Sequence, residues 1–338
     1  LQVAAELNAK EKAWALFDRI VAHAAPENSH RNPWVQQHEG ILCYEPDVDT
    51  LSRLLGVPLY LNAESRTGVP ALALDVWLSY ELRRAGFDYD AVWPRPIHPR
   101  ILPKPIASLL KALPAKERAQ LHDRLTRNSA ITGVTSSNAS ILGKNYLKQV
   151  DVIMTDWATG PELLISTKRM DSSYGKNAPN RIEESYGDAK NLRLRHPLAA
   201  VGFVFGLRSD ILQEEPDTAE WLMDLLIKLG REEDAYHATC LIMMEYSDAV
   251  NVNSHAEGLE PRTVTKPVTA EEAVTVSAFD ADLNIEALPP VKILSDKVPP
   301  ELSPGRFLSE MVTRVLDTTP VTMHREARRR RREAANSR

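Results

Sequence analysis

The chain has 338 residues, of which 43% are hydrophobic and 26% are charged, and its formal net charge is −5. It contains no run of about 18 or more apolar residues, which excludes a membrane-spanning helix, and its N-terminus lacks the basic segment and apolar core of a signal peptide. The two cysteines, Cys43 and Cys240, have neither a metal-ligand spacing nor a disulfide framework. We therefore expect a cytoplasmic protein with a core large enough for one or two domains.

Residues 1–65 are predicted to form a helical N-terminal extension. Residues 1–25 have the apolar periodicity of one amphipathic helix. The stretch 26–46 is predicted to be irregular. The sequence of residues 51–61 indicates a short helical turn, which a strand can follow.

A stronger helix is predicted over residues 69–85, and it carries Glu81 within an apolar stripe. A carboxylate on an apolar face needs a partner or a metal ion, although a long side chain at the edge of a stripe also reaches solvent. The prolines within residues 87–105 exclude a helix or a central strand there. Residues 106–127 predict a helix that is broken at Pro114.

A β-hairpin is predicted where residues 150–155 and 162–168 form two extended runs around turn residues. Side chains alternate along a strand, so Ser166 and Lys168 share one face. Asp151 begins the first strand, and pairing in the hairpin can bring its carboxylate close to the Lys168 ammonium. The pair is either a solvated salt bridge at a sheet edge or part of a catalytic site.

A polar helix and a third strand follow the hairpin. Asn177 is the predicted N-cap, and the helix runs to about Arg195. Its apolar stripe places Glu183 at the border and Glu184 further toward solvent. Residues 199–207 then predict a buried strand.

The remaining chain is predicted to supply flanking elements and an arm. Residues 218–229 predict an amphipathic helix, and 235–246 form a buried segment that is either strand or helix. Residues 247–300 are acidic and rich in proline, which indicates a loosely structured arm, and 305–317 predict one more helix. The unbroken arginines at 328–332 are expected to form a solvated, disordered end that binds phosphate nonspecifically.

The order of these motifs resembles the core of the PD-(D/E)xK nuclease superfamily, in which an Asp starts one strand and (D/E)xK lies on the next. The resemblance covers residues 149–209. Two positions depart from the common pattern, because Val150 stands where Pro is usual and Ser166 stands in the acidic place before Lys168. One group of restriction endonucleases in the superfamily carries Ser-x-Lys and supplies the missing acid from the following helix.

The resemblance implies a restriction-endonuclease-like α/β fold with a mixed β-sheet core flanked by helices. We expect the nuclease core to span residues 66–246, between the helical extension 1–65 and a C-terminal region 247–338. That last region would contain an irregular arm, one helix and the basic tail.

The implied chemistry is Mg²⁺-dependent hydrolysis of a phosphodiester, which needs hard oxygen ligands and a positioned water. By resemblance, Asp151 and Glu183 are side-chain ligands, and the backbone carbonyl of Thr167 is a third. Lys168 would orient the attacking water or help to deprotonate it, and Glu184 is the alternative to Glu183. The implied site therefore comprises Asp151, Ser166, Thr167, Lys168, Glu183, Glu184 and, as an acid from the preceding helix, Glu81.

Basic and amide side chains around this site suit contacts with DNA phosphates. They are Lys144, Lys148, Lys176, Asn177, Arg181, Lys190 and Arg193. The alternative is a solvated helix face on which Arg181 pairs with Glu184 one turn along.

We expect a Mg²⁺-dependent endonuclease for double-stranded DNA, either a type II restriction enzyme or a related anti-phage defence nuclease. Cutting both strands favours a homodimer, and a cognate DNA methyltransferase would act in the same system. The alternative is a noncatalytic DNA-binding or interaction protein on the same fold, in which Ser166 marks loss of the site. A hydrolase based on Ser166 and Lys168 is disfavoured, because neighbouring same-face positions on one strand offer no evident oxyanion hole.

Overall fold

The computed structural model describes residues 8–37, 40–127, 139–247 and 285–336. The strands, numbered in chain order, are β1 Trp34–Gln36, β2 Leu42–Tyr44, β3 Val92–Trp93, β4 Ser140–Leu142, β5 Leu147–Gln149, β6 Val152–Asp156, β7 Gly160–Met170, β8 Ala200–Arg208, β9 Ala238–Glu245 and β10 Lys292–Ile293. The helices are α1 Ala9–Ala24, α2 Val48–Tyr60, α3 Val69–Arg84, α4 Lys104–Ala112, α5 Ala115–Arg127, α6 Tyr174–Arg193, α7 Ile211–Glu214, α8 Pro216–Leu229, α9 Pro304–Thr318 and α10 Arg325–Asn336.

A six-stranded mixed sheet with the order β10-β9-β8-β7-β6-β3 forms the centre of the molecule. β6 and β7 are antiparallel, which confirms the predicted hairpin, whereas β7, β8 and β9 run parallel. The central strands are apolar along their length because helices cover both faces of the sheet. The sequence predicts either a strand or a helix for the segment 235–246, and the structure shows that it contains the strand β9.

Two hydrophobic clusters lie on opposite faces of this sheet. One contains Leu16 of α1, Ile165 of β7 and Phe307 of α9, and the other contains Leu164 of β7 and Leu222 of α8. Alternation along β7 directs Ile165 and Leu164 to different faces. The first cluster includes residues from all three predicted regions, so the N-terminal and C-terminal parts share a core with the sheet.

Two N-terminal predictions differ from the structure. The irregular stretch 26–46 contains the β1–β2 hairpin, which pairs Trp34 with Tyr44. Residues 51–61 form no strand, because α2 extends through Pro58 to Tyr60. Its start is stabilised by Asp47, whose carboxylate accepts hydrogen bonds from the Thr50 backbone at 2.9 Å and from Tyr80 Oη at 2.8 Å.

The polar helix α6 begins at Tyr174, one turn before the predicted cap at Asn177, and ends at Arg193. Its first turn is stabilised by contacts from distant residues. The Tyr174 hydroxyl donates to Asp210, and the Gly175 N–H donates to the Glu215 carboxylate at 2.7 Å. Such tertiary partners override the local capping signal.

The arginine run forms the helix α10, so the prediction of a disordered end is wrong. Arg328 Nη2 donates to the carbonyls of Leu316, at 2.6 Å, in the last turn of α9, and of Thr319, at 2.9 Å, just after it. Arg329 pairs with Glu326 and Glu333 within the helix. These guanidinium groups satisfy protein carbonyls and carboxylates.

The other predicted segments are found close to their expected places. The predicted helix with a break at Pro114 is found as α4 and α5. The proline-rich segment 87–105 contributes the two-residue edge strand β3 and the first two residues of α4. Most of the predicted acidic arm, residues 248–284, lies outside the described residues, and residues 285–300 add β10 at the edge of the sheet. Within the described ranges, no helix has both the length and the apolar character needed to cross a bilayer.

Candidate active site

Asp151 lies immediately before β6, and its side chain accepts a backbone hydrogen bond from β7 where the pairing of the two strands has ended. Its Oδ2 accepts the N–H of Thr167 at 2.8 Å, beyond the last register pair, Val152 with Ile165. In an antiparallel pair, the N–H and C=O of one residue point to the same neighbouring strand. The Thr167 carbonyl therefore faces the same side as the Asp151 carboxylate, which is the arrangement expected of a backbone and a side-chain ligand.

A second carboxylate contacts Thr167 from the other face of the sheet. Asp75 of α3 is 8% exposed, and its Oδ1 accepts a hydrogen bond from Thr167 Oγ1 at 2.5 Å. The sequence prediction missed Asp75. A signal was present, because Asp75 stands four residues after Ala71 and three before Leu78, within the apolar stripe that drew attention to Glu81.

Lys168 points to the face covered by α6, where it meets an acid of that helix. Its Nζ lies 3.9 Å from Glu184 Oε2, and Arg181 Nη1 lies 3.7 Å from the same oxygen. Glu183 is also exposed but lies one position earlier, about 100° around the helix axis. Glu184, the predicted alternative to Glu183, is thus the helix acid that contacts Lys168. Ser166 is buried on the same side of β7.

A third carboxylate, Asp188, lies one helical turn beyond Glu184. It is 6% exposed, pairs with Lys148 and accepts a hydrogen bond from Tyr146 Oη at 3.1 Å. Burial and then the negative charge of Asp188 raise the pKa of Tyr146 to about 12. Because Asp188 neutralises Lys148, the predicted DNA contact of this lysine competes with a buried ion pair. The i, i+4 spacing from Glu184 was the available sequence signal.

Tyr236 is a buried phenol that contacts α6. Its hydroxyl donates to the Ser185 carbonyl of α6 at 2.7 Å. Burial raises the pKa of Tyr236, and the negative charges of Asp188 and Asp151 raise it further. Both carboxylates therefore lie close enough to the buried phenol to act on its pKa.

Glu81 lies in a different environment. Its Oε1 accepts the Asp47 N–H at 2.7 Å, and its Oε2 binds Tyr44 Oη at 3.0 Å and Arg84 Nη1 at 2.7 Å. Burial raises the pKa of Glu81 to about 6, and Arg84 opposes that change. Six positions beyond Asp75, it lies about 9 Å along the helix and about 120° around it. Its carboxylate thus joins α3 to α2 and Arg84, where the resemblance implied a contact with the metal site.

The predicted DNA-contacting residues divide into exposed and occupied side chains. Lys144 and Lys176 are exposed, and Asn177 is half-buried. Lys190 pairs with Asp234 at 3.0 Å. Arg193 donates to two backbone carbonyls, those of Glu233 at 2.6 Å and Ala235 at 3.1 Å, so it stabilises the turn before β9.

The donor set at β6 and β7 suits a hard cation that keeps most of its water. In the described parts of the chain, no group of three or more His, Cys, Asp or Glu side chains is arranged to hold a metal ion. Mg²⁺ commonly binds through one or two carboxylates and retains several waters. Asp151 and the Thr167 carbonyl supply that minimal oxygen set.

The fold and this cluster define a mixed α/β protein with carboxylates and a lysine around one pair of central strands. No family model matches the sequence, and neither the curated proteins nor the solved structures compared with it give a match.

Proposed function

We propose that this protein is a Mg²⁺-dependent endonuclease for double-stranded DNA, with a restriction-endonuclease-like core and its site on β6 and β7. The observation that carries the proposal is the Asp151–Thr167 hydrogen bond next to Lys168. The order of an antiparallel pair, a helix and a parallel strand supports the same fold family.

Each residue has a distinct role in the proposed site. Asp151 and the Thr167 carbonyl would hold the metal ion, which when bound neutralises charge that develops on the phosphate. Lys168 orients the attacking water and is itself positioned by Glu184 at 3.9 Å. Ser166, in the place of an acid, leaves this position uncharged, so the carboxylate comes from the helix.

The proposed DNA contact uses the exposed Lys144 and Lys176 together with the half-buried Arg181. Lys176 and Arg181 lie on the first turns of α6, and Lys144 lies on the β4–β5 turn. Cleavage of both strands would use a homodimer, and a restriction or defence role in the cytoplasm, with or without a cognate methyltransferase, is part of the proposal.

Cleavage of mixed-sequence plasmid and phage DNA with Mg²⁺ or Mn²⁺ tests the proposal. We expect discrete fragments from wild type, and none from Asp151→Asn or Lys168→Ala, in matched salt. Glu184→Gln should slow cleavage by less than the about 10²-fold that loss of a proton-transferring group costs, because Glu184 acts only through Lys168. Its matched control is the neighbouring exposed carboxylate, and Glu183→Gln should retain the wild-type rate.

The opposite result for the two glutamates would contradict the assignment of Glu184 and leave the nuclease proposal intact. Absence of cleavage from any duplex with either metal, while folding is normal, would contradict the nuclease itself.

A noncatalytic DNA-binding module is the second candidate. The uncharged Ser166 favours it, as does the lack of a three-residue metal group in the described ranges. Duplex binding measured by fluorescence anisotropy separates the two, because a binding module needs no divalent metal and would bind equally well after Asp151→Asn.

A further inference from the structure

An open groove of about 370 Å³ lies along α8. Its apolar lining consists of Leu212 of α7, Pro299 and, from α8, Pro216, Ala219, Met223 and Ile227. None of the residues that line the groove belongs to the candidate active site. The groove is therefore a separate feature of the surface.

The groove follows from a second apolar stripe on α8. The first stripe includes Leu222 and Leu226, which are buried in the hydrophobic cluster on this face of the sheet. Pro216, Met223 and Ile227 are spaced by seven and four residues, so they lie within about 40° of one another around the helix axis and extend over about 16 Å. Met223 and Ile227 are only half-buried. The second stripe therefore presents apolar surface to solvent, a feature that commonly marks an interaction site.

Acidic side chains border this apolar stripe. Glu220 and Asp224, one helical turn apart and both exposed, are the charged residues of the lining, which contains no Lys, Arg or His. Asp224 pairs with Lys228 in the next turn of α8. Glu220 has no ion pair with another described residue, and the same is true of the exposed Glu214 and Asp217 at the start of α8. The border of the groove is therefore negatively charged.

The length and charge of the groove favour an amphipathic helix with a basic polar face. A length of about 16 Å matches three turns of helix, and a docked helix places apolar side chains at i, i+3 or i+4 and i+7 into such a groove. Lys or Arg beside those side chains would complement Glu220 and the acids near it. Residues 248–284 of this chain suit the groove poorly, because they carry seven acidic and two basic side chains that the negative border would repel overall.

We propose that this groove docks a basic amphipathic helix of a partner protein. Two or three apolar side chains of that helix contact Met223 and Ile227, and its Lys or Arg side chains lie beside Glu220. Because the groove shares no residue with the candidate active site, the partner adds to the proposed nuclease and is not needed to complete its site.

A fluorescently labelled peptide of about 14 Leu and Lys residues, with Leu at i, i+3, i+4 and i+7, is the probe for this groove. Its binding to the full chain is measured by fluorescence anisotropy, and we expect saturable binding of one peptide per chain. Glu220→Lys reverses a charge at the border and should raise the Kd by about tenfold or more. Met223→Gln keeps the net charge and removes apolar contact, so it should raise the Kd by about fivefold or more.

The matched control is Glu117→Lys, which makes the same charge change at an exposed position of α5 and should leave the Kd unchanged. A peptide of the same composition without an apolar stripe should bind at least about tenfold more weakly. Added salt should reduce the effect of Glu220→Lys and preserve that of Met223→Gln, since salt screens only the charges. Equal affinity for the two peptides, or wild-type affinity in both groove variants, would overturn the proposal and indicate nonspecific attraction to an acidic protein.

The occupant is tested by labelling Met223→Cys with a maleimide, after subtraction of the reaction of Cys43 and Cys240 in wild type. We expect rapid labelling that the Leu/Lys peptide slows. Slow labelling without peptide at every protein concentration would mean that other residues of the same chain fill the groove. Labelling that slows as the protein concentration rises would mean that a second copy fills it. Either result would overturn the proposed partner helix, and none of these readouts requires nuclease activity.

Discussion

Thr167 is contacted by two carboxylates from different directions. Asp151 accepts its backbone N–H at 2.8 Å, and Asp75 accepts its hydroxyl at 2.5 Å. Asp75 lies on α3, and Lys168, the next residue after Thr167, faces α6. The hydrogen bond from Asp75 therefore fixes β7 at Thr167, next to the residue that faces α6. Asp75 is thus a positioning residue for the proposed site.

Replacing Thr167 with Val tests this coupling. The change conserves shape, removes the hydroxyl and leaves Asp75 with one partner fewer, so the free energy of unfolding should fall by about 1–3 kcal/mol. Proposed nuclease activity should fall with it. The measurement is urea unfolding together with the cleavage rate.

The control is Thr239→Val, since Thr239 is equally buried and donates to the Leu226 carbonyl at 2.7 Å. It should destabilise by a similar amount without changing the cleavage rate of the folded fraction. Equal effects of both substitutions on cleavage would contradict a positioning role for the Asp75–Thr167 contact.

The pKa of His237, lowered by burial, predicts that the free energy of unfolding falls in acid. Its folded pKa of about 3 lies below the ordinary value of 6.5, so the unfolded chain binds more protons between these values. The contribution is complete above about pH 6.5 and is lost as the pH falls toward 3. Between pH 7 and 4.5, wild type should lose about 2 kcal/mol more than His237→Asn, whose amide does not titrate. Urea midpoints at several pH values measure the difference, and parallel pH profiles would refute it.

At the scale of elements, the β4–β5 hairpin is held against α6 by Asp188 and by the side-chain amide of Asn191. Asn191 Oδ1 accepts the Asn145 N–H at 2.8 Å, and its Nδ2 donates to the Tyr146 carbonyl at 3.1 Å. The backbone approaches closely because Gly143 has no side chain. A Cβ at that position would lie 2.1 Å from Asn191 Nδ2.

Two glycine substitutions should therefore have opposite signs. Gly143→Ala forces the hairpin away from Asn191 and should destabilise the protein by about 1–3 kcal/mol, with faster amide exchange over residues 140–149. Gly187 lies in α6, and a Cβ added there has no atom within 4 Å, so Gly187→Ala should raise the free energy of unfolding by about 0.5–1 kcal/mol. Thermal unfolding and hydrogen exchange measure both, and destabilisation by Gly187→Ala would contradict the open environment.

Local sequence patterns were sufficient to predict the long helices and strands. They were insufficient where contact with a residue distant in sequence determines the structure. The 150–168 hairpin was predictable because turn residues separate two extended runs. β3 and β10 were not, since two residues form a strand only when a neighbour pairs with them. The site shows the same division. Asp151 and Lys168 could be proposed from their places on the predicted hairpin and from the resemblance, whereas the contact of Asp75 is with a residue 92 positions away.

At the scale of the whole molecule, α10 contacts β1, the segment just before it and the end of α3. Arg330 Nη1 donates to the carbonyls of Arg84 at 2.6 Å and His30 at 3.2 Å, and its Nε pairs with Glu326. One guanidinium therefore joins three separate stretches of chain.

Arg330→Lys should lower the free energy of unfolding by about 1–2 kcal/mol, because an ammonium cannot reproduce the planar set of donors. Arg325 is exposed at the first position of the same helix, so Arg325→Lys should change stability by less than about 0.5 kcal/mol. Chemical denaturation of both variants is the measurement, and indistinguishable midpoints would contradict a structural role for Arg330.

The contact between the N-terminal layer and α10 also constrains when the molecule can mature during translation. Asn32 Nδ2 donates to the Arg330 carbonyl at 2.9 Å across a separation of 298 positions, and the Arg331 guanidinium lies 5.5 Å from the Trp34 ring. A ribosome adding about 5–20 residues per second needs roughly 15–60 s to cover that distance along the chain. Until then the nascent β1–β2 hairpin exposes an aromatic surface, which is the kind of surface that chaperones recognise.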